Sequence, residues 1–432
     1  MLQKRKWIMG QKTFISIVDN YFKRFTASDV AITDAVSSNL SIIIVIPSFN
    51  EKNVVDSVKS LFSCHYSGFS VEIIVVVNYP ENSSKEIVDS SLTNIKDLDL
   101  LAKSYNSEKV KILSIYVPNL PQKHAGVGWA RKIGMDEGLR RFKAIDKDGI
   151  LVGFDADSKV ESNYFIEINN FFKDKLLLGA SIHFEHPIDD DGFSKDQLFN
   201  ISCYELHLRY YKNALKYSGV PYSFHTVGSS FAVRSSAYAK QGGMNRRKAG
   251  EDFYFINKII QGGCFGEINS TKVIPSPRMS NRVPFGTGRA MMEASEGKSD
   301  LNLTYSFKIF ELLKTWIELI ELGNYDYNSF PQVIKEFITE EIWLKSLNQL
   351  LNNTNSIKNF KKRFFAKYDA FWMLKFIHFA RDNFFPDCSL IENVNRYLSS
   401  TDEVELNTVD SQLKYLRTID MYKKKGTPKN PF

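Results

Sequence analysis

Asp155 and Asp157 stand two residues apart where an apolar run ends, in "ILVGFDADSK". In an extended chain such residues face one side, their Cα atoms roughly 6–7 Å apart. Two like charges there repel unless a cation lies beside them. Mg2+ or Mn2+ prefers oxygen ligands and is often held by one or two carboxylates plus substrate phosphates. A turn that uses aspartate to cap the next helix is the ordinary alternative.

Three other stretches carry residues of the right types. "GEDFYFINKIIQGG" opens with Glu251 and Asp252, ahead of an apolar face made by Phe255, Ile256, Ile259 and Ile260. Acidic residues suit the first turn of a helix. A carboxylate held in a cleft can also take the proton of an attacking hydroxyl. "GVGWARKIGM" offers Arg131 or Lys132 to a diphosphate, or is a plain glycine-rich helix start. "SPRMSNRVPFGTGRAM" holds Arg278, Arg282 and Arg289, whose forks suit a leaving diphosphate unless they are solvated loop residues.

These residues need elements to hold them. "SIIIVIPSFNE" from residue 41 is a continuous β-branched run, as in a strand buried on both faces. "VEIIVVV", "VKILSIYV" and "GILVGFDAD" read as further strands, with helical patterns between them. That alternation predicts an α/β fold with a mostly parallel sheet and helices on both faces. The C-terminal ends of such strands are where ligands bind. Beyond residue 300 the pattern is helical, with Phe310, Leu313, Trp316, Ile317 and Ile320 in one stripe. Ile334, Phe337, Ile338 and Glu341 lead a second helix toward Trp343 and Leu347, and 359–385 reads as a third. The third is basic and rich in aromatics, which fits either a core or a membrane-facing surface. The expected organisation is a helical lead-in over 1–40, a domain over 41–290 and a helical region over 291–432. In the lead-in, Lys4 to Ile8 either touch a membrane surface or belong to a helix packed on the domain. The tail "KKKGTPKNPF" is expected to be disordered.

With 432 residues and 43% hydrophobic content the chain can bury a large core. A net charge of +7 is a mild excess. The four cysteines, Cys64, Cys203, Cys264 and Cys388, form no CxxC, which argues against a zinc or disulfide framework. No run approaches the length of a membrane span, and the N-terminus makes a poor secretory signal. The expected location is cytoplasmic, or peripheral at the inner face of a membrane. No nucleic-acid-binding motif is evident.

Taken in order, "VIPSFNE", "VVVN", "GWARKIG", "FDADS", "GSSFAVRSSAYAKQGGMN" and "GEDFYF" resemble the family 2 glycosyltransferases with the GT-A fold, over about residues 41–285. The resemblance implies a Rossmann-like GT-A domain that moves a sugar from a nucleotide-diphosphate sugar to an acceptor hydroxyl. Pro47, Ser48, Asn50 and Glu51 match the nucleotide pocket. Asn78 stands where the family usually has a base-binding aspartate. Arg131 matches the family arginine and Lys132 replaces the usual asparagine. Asp155 would contact ribose or metal, and Asp157 the metal, Mn2+ or Mg2+. Asp252 matches the catalytic base, with Glu251 beside it, and Arg278 and Arg282 lie where a diphosphate clamp is expected. The implied reaction is one inverting displacement, in polysaccharide or glycolipid synthesis, onto a saccharide or lipid-linked acceptor. A retaining GT-A transferase and a non-catalytic scaffold that binds nucleotide-sugar or a partner are the alternatives. After Asp252 the only histidine is His378, in the helical region, so the later metal-ligating histidine of many GT-A enzymes has no match. His225 either lines the acceptor side or is structural. There is no QxxRW step.

Overall fold

The computed structural model describes residues 13–422, except 27–28, 53, 247–249, 283–285 and 355. The expectations for Lys4 to Ile8 and for the tail over 423–432 fall outside the described residues. The chain divides into two compact units, Met1–Phe184 with Thr226–Ser276, and Glu185–His225 with Pro277–Phe432.

The first unit opens with α1 (Phe14–Phe25), β1 (Leu40–Ser48), α2 (Val54–Phe62), β2 (Ser70–Pro80) and α3 (Lys85–Tyr105). It continues with β3 (Val110–Leu120), α4 (Val127–Ala144), β4 (Ile150–Gly153), β5 (Lys159–Val160), α5 (Tyr164–Phe171) and β6 (Leu177–Phe184). In the second unit comes α6 (Lys195–Tyr217). The first unit then closes with β7 (Phe231–Arg234), α7 (Ser235–Lys240), α8 (Glu251–Gly262) and β8 (Cys264–Ile274). Its strands form one sheet in the order β3-β2-β1-β4-β7-β6-β8-β5. The β3, β2, β1 and β4 strands run parallel, and so do β6 and β8, while β7 is antiparallel to both of its neighbours. Ile42 to Ile46 of β1 are all fully buried, so both faces of the sheet are covered, as the unbroken apolar run predicts.

The sheet has its switch point at β1, which pairs with β2 on one side and β4 on the other. Crevices at such points lie beyond the carboxyl ends of the strands. The α4 helix lies close against this part of the sheet because it carries Gly134 and Gly138. A Cβ on Gly134 would fall 2.4 Å from Val45 Cγ1, and one on Gly138 would fall 2.7 Å from Leu151 Cδ2. The middle of α4, from Ala130 to Leu139, is enclosed as well, although it is rich in charge. Asp136 accepts from the hydroxyls of Tyr21 and Tyr238, each at 2.6 Å. Arg141 pairs with Glu72, its Nη2 donating to Oε1 at 2.6 Å. Glu137 accepts from the Ala31 amide and from Arg140, each at 3.1 Å. Buried charges persist only when paired in this way.

The second unit is helical around α6. After it come α9 (Thr287–Ser295), β9 (Leu303–Thr304), α10 (Phe307–Glu321), α11 (Gln332–Phe337) and α12 (Glu340–Asn352). Last are α13 (Ile357–Lys367), α14 (Ala370–Asn383), β10 (Cys388–Ser389), α15 (Leu390–Ser399) and α16 (Val409–Tyr422). Two helices expected to be continuous are broken. The backbone turns extended at Ile338, and Thr339 then caps α12, its hydroxyl accepting from the Ile342 amide. Asp369 caps α14 in the same way, accepting from Trp372 N at 2.9 Å. The aromatic residues of 359–385 mostly form core: Phe360, Phe364, Phe365, Tyr368 and Phe376 are buried, and Trp316 packs against Phe364, Tyr368 and Trp372. Among the described residues no helix is long and apolar enough to cross a membrane.

Candidate active site

One guanidinium joins the motifs that the sequence spreads over more than a hundred residues. Arg131, in the second turn of α4, is 2% exposed. Its Nη2 donates to Asp155 Oδ1 at 2.7 Å, and its Nη1 donates to Glu251 Oε1. The backbone of Gly228 lies against the same group, and a Cβ there would fall 2.7 Å from Nη1. The stretches "GWARKIG", "FDADS", "GSSFAVR" and "GEDFYF" therefore meet at this arginine.

Each partner is brought in by a simple local device. The β4 strand ends at Gly153, and the chain then turns, with the Ser158 amide donating to the Asp155 carbonyl at 3.1 Å. Asp155 and Asp157 thus occupy a tight turn and not an extended strand, so strand alternation does not set their relation. Asp is favoured at the first position of such turns because its side chain can serve the turn's own backbone. The Asp155 side chain is 41% exposed, and Asp157 is half-buried. Glu251 and Asp252 open α8, where the helix dipole favours negative charge. Glu251 is buried, and Asp252 is half-buried with Oδ1 accepting from the Phe253 amide at 2.8 Å.

The electrostatics follow from crowding three carboxylates around one cation. Burial pushes Glu251 up to about 7, against the pull of Arg131 and with added repulsion from Asp252. Burial also raises Asp252, again opposed by Arg131. Burial weakens the charge of Arg131, but Glu251, Asp155 and Asp252 outweigh it and hold the guanidinium more firmly protonated than usual.

The other sequence-predicted residues divide into groups. Ser48 is fully buried at the end of β1, and its hydroxyl has no hydrogen-bond partner among the described residues. Pro47 is half-buried beside it, and Asn50 is exposed with φ 47°. Glu51 is buried, its Oε1 accepting from Lys52 N at 3.0 Å. Asn78 is buried in β2, opposite Val117 of β3. Lys132 turns away from Arg131, because adjacent helical residues point about 100° apart. It is buried, pairs with Asp136 at 3.3 Å and bonds the Tyr21 hydroxyl. Burial lowers its pKa, and Asp136 pulls it back. Arg278 and Arg282 belong to the second unit, where Arg282 Nε donates to Ser280 Oγ at 3.0 Å. His225 and His378 also lie there, and His378 Nε2 meets the Tyr305 hydroxyl at 2.9 Å.

Two residues of the site were not singled out from the sequence. Gly228 serves by lacking a side chain. Ser158 is fully buried after the aspartate pair, with its hydroxyl unpartnered among the described residues. Its only sequence signal was its place next to Asp157.

Among the described residues no group of three or more His, Cys, Asp or Glu side chains is arranged to hold a metal ion. Carboxylates such as those of Asp155 and Asp157 have the oxygen chemistry of a hard cation that shares a substrate's phosphates and keeps water, and Asp155 Oδ1 is engaged by Arg131.

Comparison with known proteins adds a likeness of chain course. No protein-family model and no curated protein matches the chain. Among solved structures, residues 1–349 of S. aureus TarS are 12% identical, with 88% of each chain covered and a TM-score of 0.33. The same fragment in complex with UDP-GlcNAc scores 0.32 at 12% identity, again over 88% of each chain. GalNAc-T7 with UDP, GalNAc and Mn2+ is 14% identical over 80% of this chain and 58% of that one, with a TM-score of 0.35. Scores of this size carry no argument about activity.

Proposed function

We propose that the chain is a glycosyltransferase that moves a sugar from a nucleoside-diphosphate sugar to an acceptor hydroxyl with inversion. The observation that carries this reading is the Arg131 bridge. It ties the aspartate pair after β4 to the acidic pair opening α8, at the edge of an α/β sheet where ligands bind. One pair suits the donor, the other suits proton transfer, and the bridge keeps them within one guanidinium's reach.

In this reading Asp252 takes the proton of the attacking hydroxyl. Its carboxylate is half-buried and its basicity is raised by burial, which is what a general base requires. Glu251, held by Arg131, opens the first turn of α8, while burial and repulsion from Asp155 keep Asp252 basic. Arg131 has both terminal nitrogens engaged and no room on the Gly228 side. It therefore acts as a positioning residue for the two acids, and the diphosphate falls to other groups. A divalent cation held by Asp155 and Asp157 would neutralise charge on the departing diphosphate. The buried hydroxyl of Ser48 and the amide of Asn78 supply hydrogen-bonding groups beside the donor edge, suited to ribose and base. A single displacement inverts the anomeric centre.

The test is turnover of a panel of nucleoside-diphosphate sugars, followed by product analysis by NMR. An α-linked donor is expected to give a β product, and Asp252→Asn is expected to stop turnover while leaving nucleotide binding in place. An α product would contradict inversion, and full activity in Asp252→Asn would remove the assigned base.

A further inference from the structure

We propose that the outward face of α12 and α13 docks on an anionic lipid surface. Between Glu341 and Asp369 the chain carries six cations, Lys345, Lys358, Lys361, Lys362, Arg363 and Lys367, and no carboxylate. This one stretch therefore supplies a positive excess almost as large as the +7 of the whole chain. Helical packing sorts its residues. Phe360, Phe364 and Phe365 are buried, while Lys358, Lys362, Arg363 and Lys367 are exposed. Lys361 pairs with Glu321 at 2.9 Å. Lys367 Nζ donates to Gln349 Oε1 at 3.0 Å, which joins the outward residues of the two helices. Lys358, Lys362 and Arg363 make no ion pair with the described residues.

The link between these helices carries large apolar side chains in water: Leu351, at the end of α12, is 45% exposed, and Ile357, at the start of α13, is 60% exposed. A soluble polyanion would engage the cations and leave these side chains where they are. A bilayer uses both, since headgroup phosphates attract the cations and the apolar side chains enter the headgroup boundary. The combination favours lipid. The inference concerns the second unit alone and does not depend on the catalytic reading.

The experiment is co-sedimentation of the full chain with phosphatidylcholine vesicles, with and without about 30% phosphatidylglycerol, at low and high salt. Binding is expected only to the anionic vesicles, falling as salt rises. Each exposed Lys or Arg near such a surface is worth about fivefold, so Lys358→Gln/Lys362→Gln/Arg363→Gln should weaken partition about 100-fold. Leu351→Ser/Ile357→Ser, with every charge intact, should weaken it about tenfold. Both variants change exposed side chains, and an unchanged melting temperature will confirm that they fold. The proposal is overturned by no binding to anionic vesicles, or by equal binding to neutral ones. It is overturned too if the serine variant binds as wild type and polyphosphate competes the chain away, which would make this a face for soluble polyanions.

Discussion

Arg131 is the residue on which the site depends, and its environment explains why. A buried cation flanked by Asp155, Glu251 and Asp252 cannot be removed without leaving like charges together. Arg131→Ala should cost about 3 kcal/mol or more in denaturant unfolding, in the range known for breaking a buried ion pair. Arg131→Lys has one ammonium in place of a fork and cannot bridge both acids as the guanidinium does. It should fold better than the alanine variant yet lose most of kcat, with donor KM little changed. A rise in donor KM at constant kcat would instead make Arg131 a diphosphate ligand. Gly228→Ala should also reduce kcat, because its Cβ would displace the guanidinium. The pH dependence has a definite sign. Burial raises Glu251 to about 7 from an ordinary value near 4.5, so the folded protein holds that proton more tightly than the unfolded chain does. Stability from this group is therefore present in acid and declines as pH rises from about 4.5 toward 7. Activity should move the opposite way, falling as pH drops and Asp252, whose proton affinity burial raises, becomes protonated, because a base must be ionised to accept a proton. Glu251→Gln should flatten the stability slope in that window, read as unfolding midpoints across pH. These residue types were legible in the sequence. Their connection was not, since nothing in the spacing says that one arginine reaches both acids, or that its neighbour Lys132 turns into the core.

Helices and strands were legible to different degrees for a physical reason. Strands buried on both faces read as unbroken apolar runs, so β1 and β2 appear in the sequence almost as they fold. The α4 helix did not announce its burial, because it carries Lys132, Asp136, Glu137 and Arg141 inside, each with a partner from elsewhere in the chain. The breaks at Thr339 and Asp369 were also hidden, because apolar periodicity runs across them while a single capping side chain decides the boundary. Thr339→Ala should cost about 1 kcal/mol by loss of that cap, measured by denaturant unfolding. Gly134→Ala tests the close approach of α4 to the sheet. Its Cβ would meet Val45 at 2.4 Å, and overpacking of this kind typically costs about 1–3 kcal/mol.

The molecule as a whole comprises an α/β unit that holds the acidic site and a helical unit with a basic outer face. Within 359–385 the second unit buries Phe360, Phe364, Phe365, Tyr368 and Phe376 in its own core, while Phe371 stays exposed. Its inner charges are paired as well: Glu205 and Asp420 share Arg209, and Lys212 and Arg417 complete the group. The central claim belongs to the other unit, that the edge of its sheet receives a nucleoside diphosphate with a divalent cation. The measurement that tests it most directly is calorimetric binding of UDP, GDP, CDP and dTDP, each with and without Mn2+, to wild type and to Asp157→Ala. The account predicts that one nucleotide binds, that Mn2+ strengthens binding, and that Asp157→Ala loses this gain. Failure of all four to bind, or binding indifferent to both Mn2+ and Asp157, would contradict it.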